Sequence, residues 1–209
     1  MPVTAKPMSD APNIYIVDDD PASLFLVSAY LEGLGCEIRT YESGVQFLEA
    51  SHLQAPGCIL LDFQMPGLTG VEVQNRVIAL DSRLPVIFMS GESTYEDVFE
   101  ATRNGALAYL QKPMTRTKTR AVVEQALALS RDLTDKFHSI AKARTAYANL
   151  TDREKQVFGL LVAGKPNKMI ARKLDVSLRT VEFHRANIQK KLQANILADL
   201  ISIAKWLDL

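Results

Sequence analysis

The sequence predicts an α/β domain built on a five-stranded parallel sheet, followed by an all-helical domain. In the first 113 residues, five short apolar segments alternate with segments of helical periodicity, and four of the five are followed by the Asp, Ser and Lys residues of a candidate site. From residue 149 onward, every apolar pattern has helical spacing. Strands that alternate with helices over short connections indicate right-handed crossovers and a doubly wound sheet with helices on both faces. The segment from residue 149 onward is all-helical in pattern and basic, which indicates a separate domain.

Length and composition are those of an ordinary globular protein with room for two modest domains. The chain has 209 residues, of which 47% are hydrophobic and 23% charged. No apolar stretch reaches the length of a membrane span, and residues 1–12 lack the apolar core of a secretion signal. We therefore expect a cytoplasmic protein with a short N-terminal tail at 1–12. Cys36 and Cys58 lack metal-ligand spacing, so buried thiols are expected.

The net charge of zero conceals an uneven distribution along the chain. Residues 1–114 carry nine more acidic than basic side chains, whereas residues 115–148 carry four more basic ones and residues 149–209 five more. An acidic half joined to a basic half indicates domains with different partners. The basic half is the candidate for binding nucleic acid.

The predicted strands and helices of the first domain follow from apolar runs and from the polar, Gly and Pro residues that end them. The strands are expected at 14–17, 36–41, 58–61, 84–89 and 106–111. The helices are expected from Pro21 to the glycine at 35, at 44–50, at 69–80, and from the residue after Gly91 to Asn104. This order places the carboxyl ends of all five strands at one edge of the sheet.

Polar side chains at those strand ends form the candidate site. Asp18 and Asp19 follow the first strand, Asp62 the third, Ser90 the fourth and Lys112 the fifth. Three neighbouring carboxylates repel one another unless a hard cation joins them, and an all-oxygen set suits Mg²⁺. A carboxylate beside a divalent ion, with a hydroxyl and an ammonium group nearby, matches the needs of phosphoryl transfer. The competing interpretation is that Asp62 only caps the next helix.

These motifs resemble those of the two-component receiver domain, whose sheet is of the flavodoxin and CheY type. The segments that carry the resemblance are Val17-Asp18-Asp19-Asp20, Leu61-Asp62-Phe63-Gln64-Met65-Pro66-Gly67, Ser90-Gly91 and Tyr109-Leu110-Gln111-Lys112-Pro113. The resemblance covers residues 13–129. It implies that Asp62 accepts phosphate from a sensor histidine kinase.

The resemblance also implies roles for the residues around Asp62. Ser90 and Lys112 are expected to bind the phosphoryl group, and Tyr109 to change rotamer together with Ser90 as a switch pair. The Lys112-Pro113 peptide is expected to be cis. The expected ligands of Mg²⁺ are Asp18, Asp19, Asp62 and the backbone carbonyl of Gln64.

A long helix is expected to connect the two domains. Residues 115–147 contain no Gly or Pro, and an apolar stripe recurs at spacings of three, four and seven: Val122, Ala126, Leu129, Leu133, Phe137, Ile140 and Tyr147. The first part should be the last helix of the receiver, and 130–148 a helical linker. Its stripe is compatible with pairing to a second copy or with packing on the second domain.

Four helices are expected in residues 149–209. Thr151 and Glu154 form a capping box at the start of the first helix, which Gly164 ends. The next two helices, at 167–174 and 178–192, are joined by a tight turn, and a last helix is expected at 196–207. Two helices joined in this way, the second rich in Arg and Lys, suit a helix-turn-helix in the DNA major groove.

This segment resembles the LuxR-type, or GerE-like, helix-turn-helix family. The matching positions are Leu150-Thr151, Arg153-Glu154, Val157, Gly164, Asn167-Lys168, Ile170-Ala171, Leu174, Val176-Ser177, Thr180-Val181, His184, Ile188 and Lys191-Leu192. Together with the receiver, the resemblance is to response regulators of the FixJ/NarL class. It implies a two-component regulator of transcription that binds promoter DNA.

The resemblance places Glu182, Phe183 and Ala186 at base-facing positions of the recognition helix. An acidic Glu182 repels phosphate, yet it can accept a hydrogen bond from a cytosine amino group. Phosphate contacts, which position without specifying, are expected from Lys165, Lys168, Arg179, Arg185 and Lys190. Thr180 completes the predicted DNA-binding set, and His184 is compatible with either DNA contact or packing.

The sequence therefore predicts a DNA-binding response regulator that is not an enzyme, apart from Mg²⁺-dependent loss of its own phosphate. Expected partners are a sensor histidine kinase, promoter DNA, RNA polymerase and a second copy of the phosphorylated chain. The alternative is a phosphate sink that drains a kinase without binding a specific DNA sequence. The chain contains no GxxxxGK[ST] loop and no kinase-like histidine context, so its phosphate must come from elsewhere.

Overall fold

The computed structural model describes residues 11–50, 53, 56–91 and 103–209. The fold separates into two compact units, Met1–Thr134 and Asp135–Leu209. Among the described residues, no helix combines the length and the apolar character that crossing a membrane requires.

The first unit contains a five-stranded parallel sheet, as predicted. Its strands are β1 (Asn13–Val17), β2 (Glu37–Tyr41), β3 (Gly57–Asp62), β4 (Val86–Ser90) and β5 (Ala108–Gln111). They lie in the order β2-β1-β3-β4-β5, with every neighbouring pair parallel. The order reverses between β1 and β3, and ligands bind at such a switch point, outside the carboxyl ends of the strands.

Four helices accompany the sheet in the described part of the chain: α1 (Pro21–Leu31), α2 (Gly44–Ala50), α3 (Gly70–Ala79) and α4 (Arg116–Ala148). Asp20 caps α1 by accepting hydrogen bonds from the backbone N–H groups of Ala22 and Ser23. The Thr69 hydroxyl and Glu72 form a capping box at α3. Residues 92–102 of the predicted fourth helix lie outside the described residues.

Side chains of the strands alternate between two apolar clusters, one on each face of the sheet. Ile14, Ile16 and Leu60 pack with residues of α1 and α4, whereas Tyr15 and Phe88 belong to the cluster formed with α2 and α3. Successive residues of a strand point to opposite faces, so one apolar strand supplies both cores. The polar groups that follow the strands are thereby left at the sheet edge.

The buried face of α4 differs in phase from the predicted apolar stripe. Val123, Ala126 and Leu127 enter the receiver core, and the Ser130 hydroxyl accepts a hydrogen bond from the backbone N–H of Gly57 at 2.9 Å. Leu129, by contrast, is 38% exposed, and Phe137 is 44% exposed. The spacing in the sequence was compatible with both faces, and contact with the sheet selected the one that carries Ser130.

The second unit contains four further helices: α5 (Asp152–Val162), α6 (Asn167–Leu174), α7 (Leu178–Leu192) and α8 (Leu197–Trp206). The capping box of Thr151 and Glu154 is present at α5. Asp175 adopts a left-handed conformation with φ of 50°, and the Ser177 hydroxyl caps α7, which together make the tight turn between α6 and α7. The core includes Val157, Phe158, Ile170, Val181, Ile188 and Leu200.

Gly70 has no room for a side chain. A methyl group there would overlap the backbone carbonyl oxygen of Asp62 and lie 2.9 Å from the Phe88 ring. We expect Gly70→Ala to destabilise the chain by about 1–3 kcal/mol, because the end of β3 would have to move. Urea denaturation followed by circular dichroism measures this change.

The matched control is Gly159→Ala within α5, where a new methyl group meets no atom within 4 Å. This variant should gain stability by about 0.5–1 kcal/mol through helix propensity. Equal stability of the two variants would contradict the close packing at Gly70.

Candidate functional site

Three carboxylates come together at the carboxyl edge of the sheet. Asp18 follows β1 and is fully buried, Asp62 ends β3 and is 5% exposed, and Asp19 is exposed. One oxygen atom from each of the three lies within 4.8 Å of the others. Buried carboxylates at such a separation repel one another, so the arrangement needs positive charge.

Lys112 supplies positive charge within the protein. Its Nζ donates to Asp62 Oδ1 at 2.6 Å and to Asp18 Oδ2 at 2.7 Å. The residue follows β5, where its backbone N–H donates to the Ser90 carbonyl at 2.7 Å. Parallel pairing of β5 with β4 therefore brings the ammonium group along the sheet edge to the carboxylates at the ends of β1 and β3.

The pKa values of Asp62 and Lys112 reflect both burial and the charge of the partner residue. Burial raises the pKa of Asp62 above its usual value, and the hydrogen bonds with Lys112 oppose that effect. Burial lowers the pKa of Lys112, but its hydrogen bonds to Asp18 and Asp62 outweigh burial, so the net pKa is raised. Lys112 is thus held as an ammonium ion beside a carboxylate of increased basicity.

The remaining polar contacts orient the two buried carboxylates. The backbone N–H of Gln64 donates to Asp62 Oδ2 at 3.0 Å, and that of Asp20 donates to Asp18 Oδ1 at 3.0 Å. The hydroxyl of Ser23 donates to Asp18 Oδ2 at 2.6 Å. Sequence reasoning did not find Ser23. The only signal was a hydroxyl residue in the first turn of the helix that follows Asp18.

Ser90 and Tyr109, the predicted switch pair, lie on the neighbouring strands β4 and β5. Ser90 is 3% exposed and follows Met89, the residue that pairs with Asp62. The Tyr109 ring contacts the Phe63 ring with centroids 6.5 Å apart. Its hydroxyl is buried and has no hydrogen-bond partner among the described residues. The Lys112-Pro113 peptide bond is cis, as the resemblance implied.

The donor set of this edge fits a hard divalent cation. Asp18, Asp19 and Asp62 offer only oxygen atoms, and the exposure of Asp19 leaves room for water ligands. Mg²⁺ prefers one or two carboxylates together with several waters. The chemistry of these side chains therefore agrees with the predicted magnesium site.

A second polar surface lies on the helical unit. Of the predicted phosphate-contacting residues, Arg185 is half-buried. The other four are exposed: Lys165, Lys168, Arg179 and Lys190. An open groove of about 520 Å³ brings Lys165 and Lys168 together with Glu182 and Arg185. Residues from the α5–α6 connection, from the start of α6 and from α7 thus form one charged surface.

The predicted base-facing residues lie on the solvent side of α7. Glu182, Phe183 and Ala186 are exposed, and Phe183 is 62% exposed despite its apolar ring. The His184 ring contacts the Phe183 ring at 5.8 Å, and its buried Nδ1 has no hydrogen-bond partner in the described part of the chain. Thr180 belongs to the N-cap of α7, where its hydroxyl lies 2.7 Å from the Ser177 hydroxyl.

Lys191 forms an ion pair at the surface of the helical unit. Its Nζ donates to the buried Glu154 carboxylate at 2.7 Å and to the Asn149 carbonyl at 3.4 Å. Burial raises the pKa of Glu154, but hydrogen bonds from Lys191 and Thr151 outweigh burial and leave a lowered pKa. This ion pair links the C-terminal end of α7 to the start of α5, whereas the adjacent Lys190, also exposed, forms no ion pair among the described residues.

Comparison with known protein families assigns both units. Residues 14–124 match the response regulator receiver domain, and residues 148–204 match the bacterial regulatory proteins of the luxR family. The chain belongs to the response regulator family. This response regulator carries a LuxR-type DNA-binding domain after its receiver domain, as predicted, and that domain disfavours a simple phosphate sink.

Similar proteins align with this response regulator over nearly its full length. The transcriptional regulatory protein FixJ of Bradyrhizobium diazoefficiens is 35% identical and aligns over 94% of this chain and 96% of its own. The response regulator protein TodT of Pseudomonas putida is 32% identical over 96% of this chain and 88% of its own. The tetrathionate response regulatory protein TtrR of Salmonella typhimurium is 34% identical, with 90% and 89% covered.

Solved structures agree with this assignment. The response regulator StyR superposes with a TM-score of 0.80 and 30% identity, over 93% of this chain and 98% of its own. Full-length FixJ from B. japonicum gives a TM-score of 0.57 and 34% identity, over 94% of this chain and 97% of its own.

Replacing Lys112 tests the buried charge cluster. We expect Lys112→Met to lower the free energy of unfolding by about 3 kcal/mol at pH 7, because Asp18 and Asp62 would remain buried without their cation. Since the pKa of Lys112 is raised in the folded state, its contribution is complete below the ordinary lysine pKa of about 10.4 and is lost as pH rises through the folded value.

Urea denaturation from pH 7 to pH 11 measures the difference in free energy of unfolding between the wild type and Lys112→Met. This difference should be constant near neutrality and shrink at the alkaline end. Lys118→Met, which removes an exposed charge from α4, is the control and should change stability little. A difference that persists unchanged through pH 11 would contradict the role of the ammonium group.

Proposed function

We propose that Asp62 is the phosphoacceptor of this response regulator and that a sensor histidine kinase is the phosphodonor. The observation that carries the proposal is the cluster at the sheet edge, where Asp62 lies beside Asp18, Asp19 and the ammonium group of Lys112. A phosphoryl group needs a nucleophilic oxygen and fixed positive charge on its other oxygens. The raised pKa of Asp62 favours its nucleophilicity.

Asp18, Asp19, Asp62 and the backbone carbonyl of Gln64 would hold Mg²⁺ in this site. When bound, the ion neutralises charge on the phosphoryl oxygens. Lys112 donates to Asp62 Oδ1 and would bind one phosphoryl oxygen after transfer, while the Ser90 hydroxyl would bind another. Slow hydrolysis of the same phosphoryl group, assisted by the ion, would limit the lifetime of the signal.

Phosphorylation would change the surface formed by β4 and β5. The modification adds about −1.5 to −2 charge at the sheet edge, which attracts the donors of Ser90 and Lys112. Tyr109 has a buried hydroxyl with no partner among the described residues, so a change of rotamer costs it no hydrogen bond there. Ser90 and Tyr109 would thus couple the phosphate to a two-state surface.

The output would be sequence-specific binding of promoter DNA by the domain at 149–209. Helix α7 would enter the major groove with Glu182, Phe183 and Ala186 facing the bases. The exposed basic residues around it would contact phosphates. The receiver at 13–129 and the linker at 130–148 would control this domain by release or by dimerisation through the α8 surface, and the bound dimer would act on RNA polymerase in the cytoplasm.

A phosphodonor-dependent DNA-binding measurement tests the proposal. Small-molecule phosphodonor and Mg²⁺ should label Asp62, and selection from randomised duplexes should yield a sequence bound more tightly by at least about tenfold after labelling. Asp62→Asn should abolish both effects. Asp20→Asn is the matched control, because Asn caps a helix as well as Asp and Asp20 lies outside the carboxylate cluster.

Labelling at Asp62 without any selected DNA sequence would favour the phosphate sink. Labelling that survives in Asp62→Asn would place the phosphoacceptor elsewhere. Mass measurement in parallel shows whether dimerisation accompanies the tighter binding.

Neighbouring lysines on α7 test the assignment of phosphate contacts. Lys190→Met should weaken binding to the selected duplex and lower the slope of log affinity against log salt by about one, because one phosphate contact is lost. Lys191→Met should leave that slope unchanged, because Lys191 is paired with Glu154. Fluorescence anisotropy at several salt concentrations measures both, and an equal loss of slope in the two variants would refute the distinction.

A further inference from the structure

We propose that Ser23 is a positioning residue for magnesium: its hydroxyl holds Asp18 in the binding orientation and keeps the buried Oδ2 atom hydrogen-bonded when Lys112 withdraws from it. This inference rests on the magnesium site of the proposed function. It adds a residue of α1 to a site otherwise built from residues at or just beyond the ends of four strands.

The geometry around Asp18 is unusually complete. Asp18 is fully buried, and each carboxylate oxygen has its own donor from the segment that follows β1. Oδ1 accepts from the backbone N–H of Asp20 at 3.0 Å, and Oδ2 accepts from the Ser23 hydroxyl at 2.6 Å. Two donors on opposite oxygens fix the rotation of the carboxylate group. A separation of 2.6 Å is typical of a strong hydrogen bond from a hydroxyl to a charged oxygen.

Ser23 is itself held in place by the start of α1. Asp20 caps the helix and accepts hydrogen bonds from the backbone N–H groups of Ala22 at 3.0 Å and Ser23 at 3.3 Å. The backbone of Ser23 therefore has little freedom, and its hydroxyl is directed toward Asp18 by the same turn that begins the helix. The loop after β1 and the first turn of α1 form one clamp on a single carboxylate.

Lys112 shares the Oδ2 atom with Ser23. Its Nζ lies 2.7 Å from Asp18 Oδ2 and 2.6 Å from Asp62 Oδ1, so one ammonium group bridges two of the three carboxylates expected to bind the metal. A divalent cation placed among the same carboxylates would repel the ammonium group. We expect Lys112 to loosen its contact with Asp18 when Mg²⁺ binds.

Without Ser23, that loosening would leave a buried anionic oxygen without a donor, which is costly. With Ser23 present, Oδ2 keeps one strong hydrogen bond from a neutral group, and the incoming cation does not repel that group as it repels an ammonium ion. Ser23 thus lowers the free energy of exchanging the internal ammonium group for the metal. Its removal should weaken magnesium binding.

Magnesium titration of the unphosphorylated full-length chain by isothermal calorimetry tests the inference. We expect Ser23→Ala to raise the Kd for Mg²⁺ by about three- to tenfold, the effect of losing one hydrogen bond to a charged group. Ser28→Ala is the matched control on the same helix. The Ser28 hydroxyl is buried and has no hydrogen-bond partner among the described residues, so its loss should leave the Kd unchanged.

An isosteric pair separates the hydroxyl from the shape of the side chain. Ser23→Thr retains a hydroxyl and should bind Mg²⁺ as the wild type does, whereas Ser23→Val has the same shape without it and should bind as weakly as Ser23→Ala. Equal affinities of the Thr and Val variants, or a wild-type Kd in Ser23→Ala, would overturn the role of Ser23.

Asp19→Asn distinguishes this failure from failure of the proposed function. If the wild type binds Mg²⁺ and Asp19→Asn loses that binding, the magnesium site stands and the Ser23 variants decide the inference alone. If the wild type and Asp19→Asn give the same titration, the carboxylate cluster is not the magnesium site, and the inference is overturned together with it.

Discussion

The receiver unit depends on the neutralisation of Asp18 and Asp62 by Lys112. Two carboxylates buried at the ends of β1 and β3 would repel each other and destabilise the edge of the sheet. The ammonium group of Lys112, which follows β5, lies 2.6 Å from Asp62 Oδ1 and 2.7 Å from Asp18 Oδ2. It reaches them only because β4 and β5 pair in parallel next to β3. Strand order and charge balance are therefore linked, because the pairing of β5 with β4 brings in the lysine that neutralises both carboxylates.

A lysine paired with a buried carboxylate occurs in both units, with different consequences. Lys112 contacts two members of a three-carboxylate cluster whose third member, Asp19, is exposed, so a cation from solvent can compete with Lys112 for these carboxylates. Lys191 contacts the single buried carboxylate of Glu154, whose other hydrogen bonds come from Thr151 at the start of α5. The first arrangement leaves the carboxylates open to another cation, whereas the second links the C-terminal end of α7 to the start of α5 and partly neutralises the charge of Lys191.

Much of the fold and of the candidate site could be predicted from the residues that end apolar runs and cap helices. Apolar runs that stop at Asp18, Asp62 and Lys112 marked the sheet edge, since the carboxyl ends of parallel strands lie together. The bounds of α6 and α7 were predicted correctly, because Asp175 and Ser177 are typical of a left-handed C-cap and an N-cap. The buried face of α4 was not predictable in the same way, because the apolar spacing suited more than one face.

The sequence by itself determined the order of elements, the identity of the two domains and the residues at the strand ends, because these depend on local periodicity and on motifs of contiguous residues. Only the tertiary structure decided that Ser23 donates to Asp18, that Ser130 rather than Leu129 lies on the buried face of α4, and that Lys191 rather than Lys190 pairs with Glu154. These choices depend on which polar atoms the packed elements bring within hydrogen-bond distance. No spacing in the chain specifies that distance.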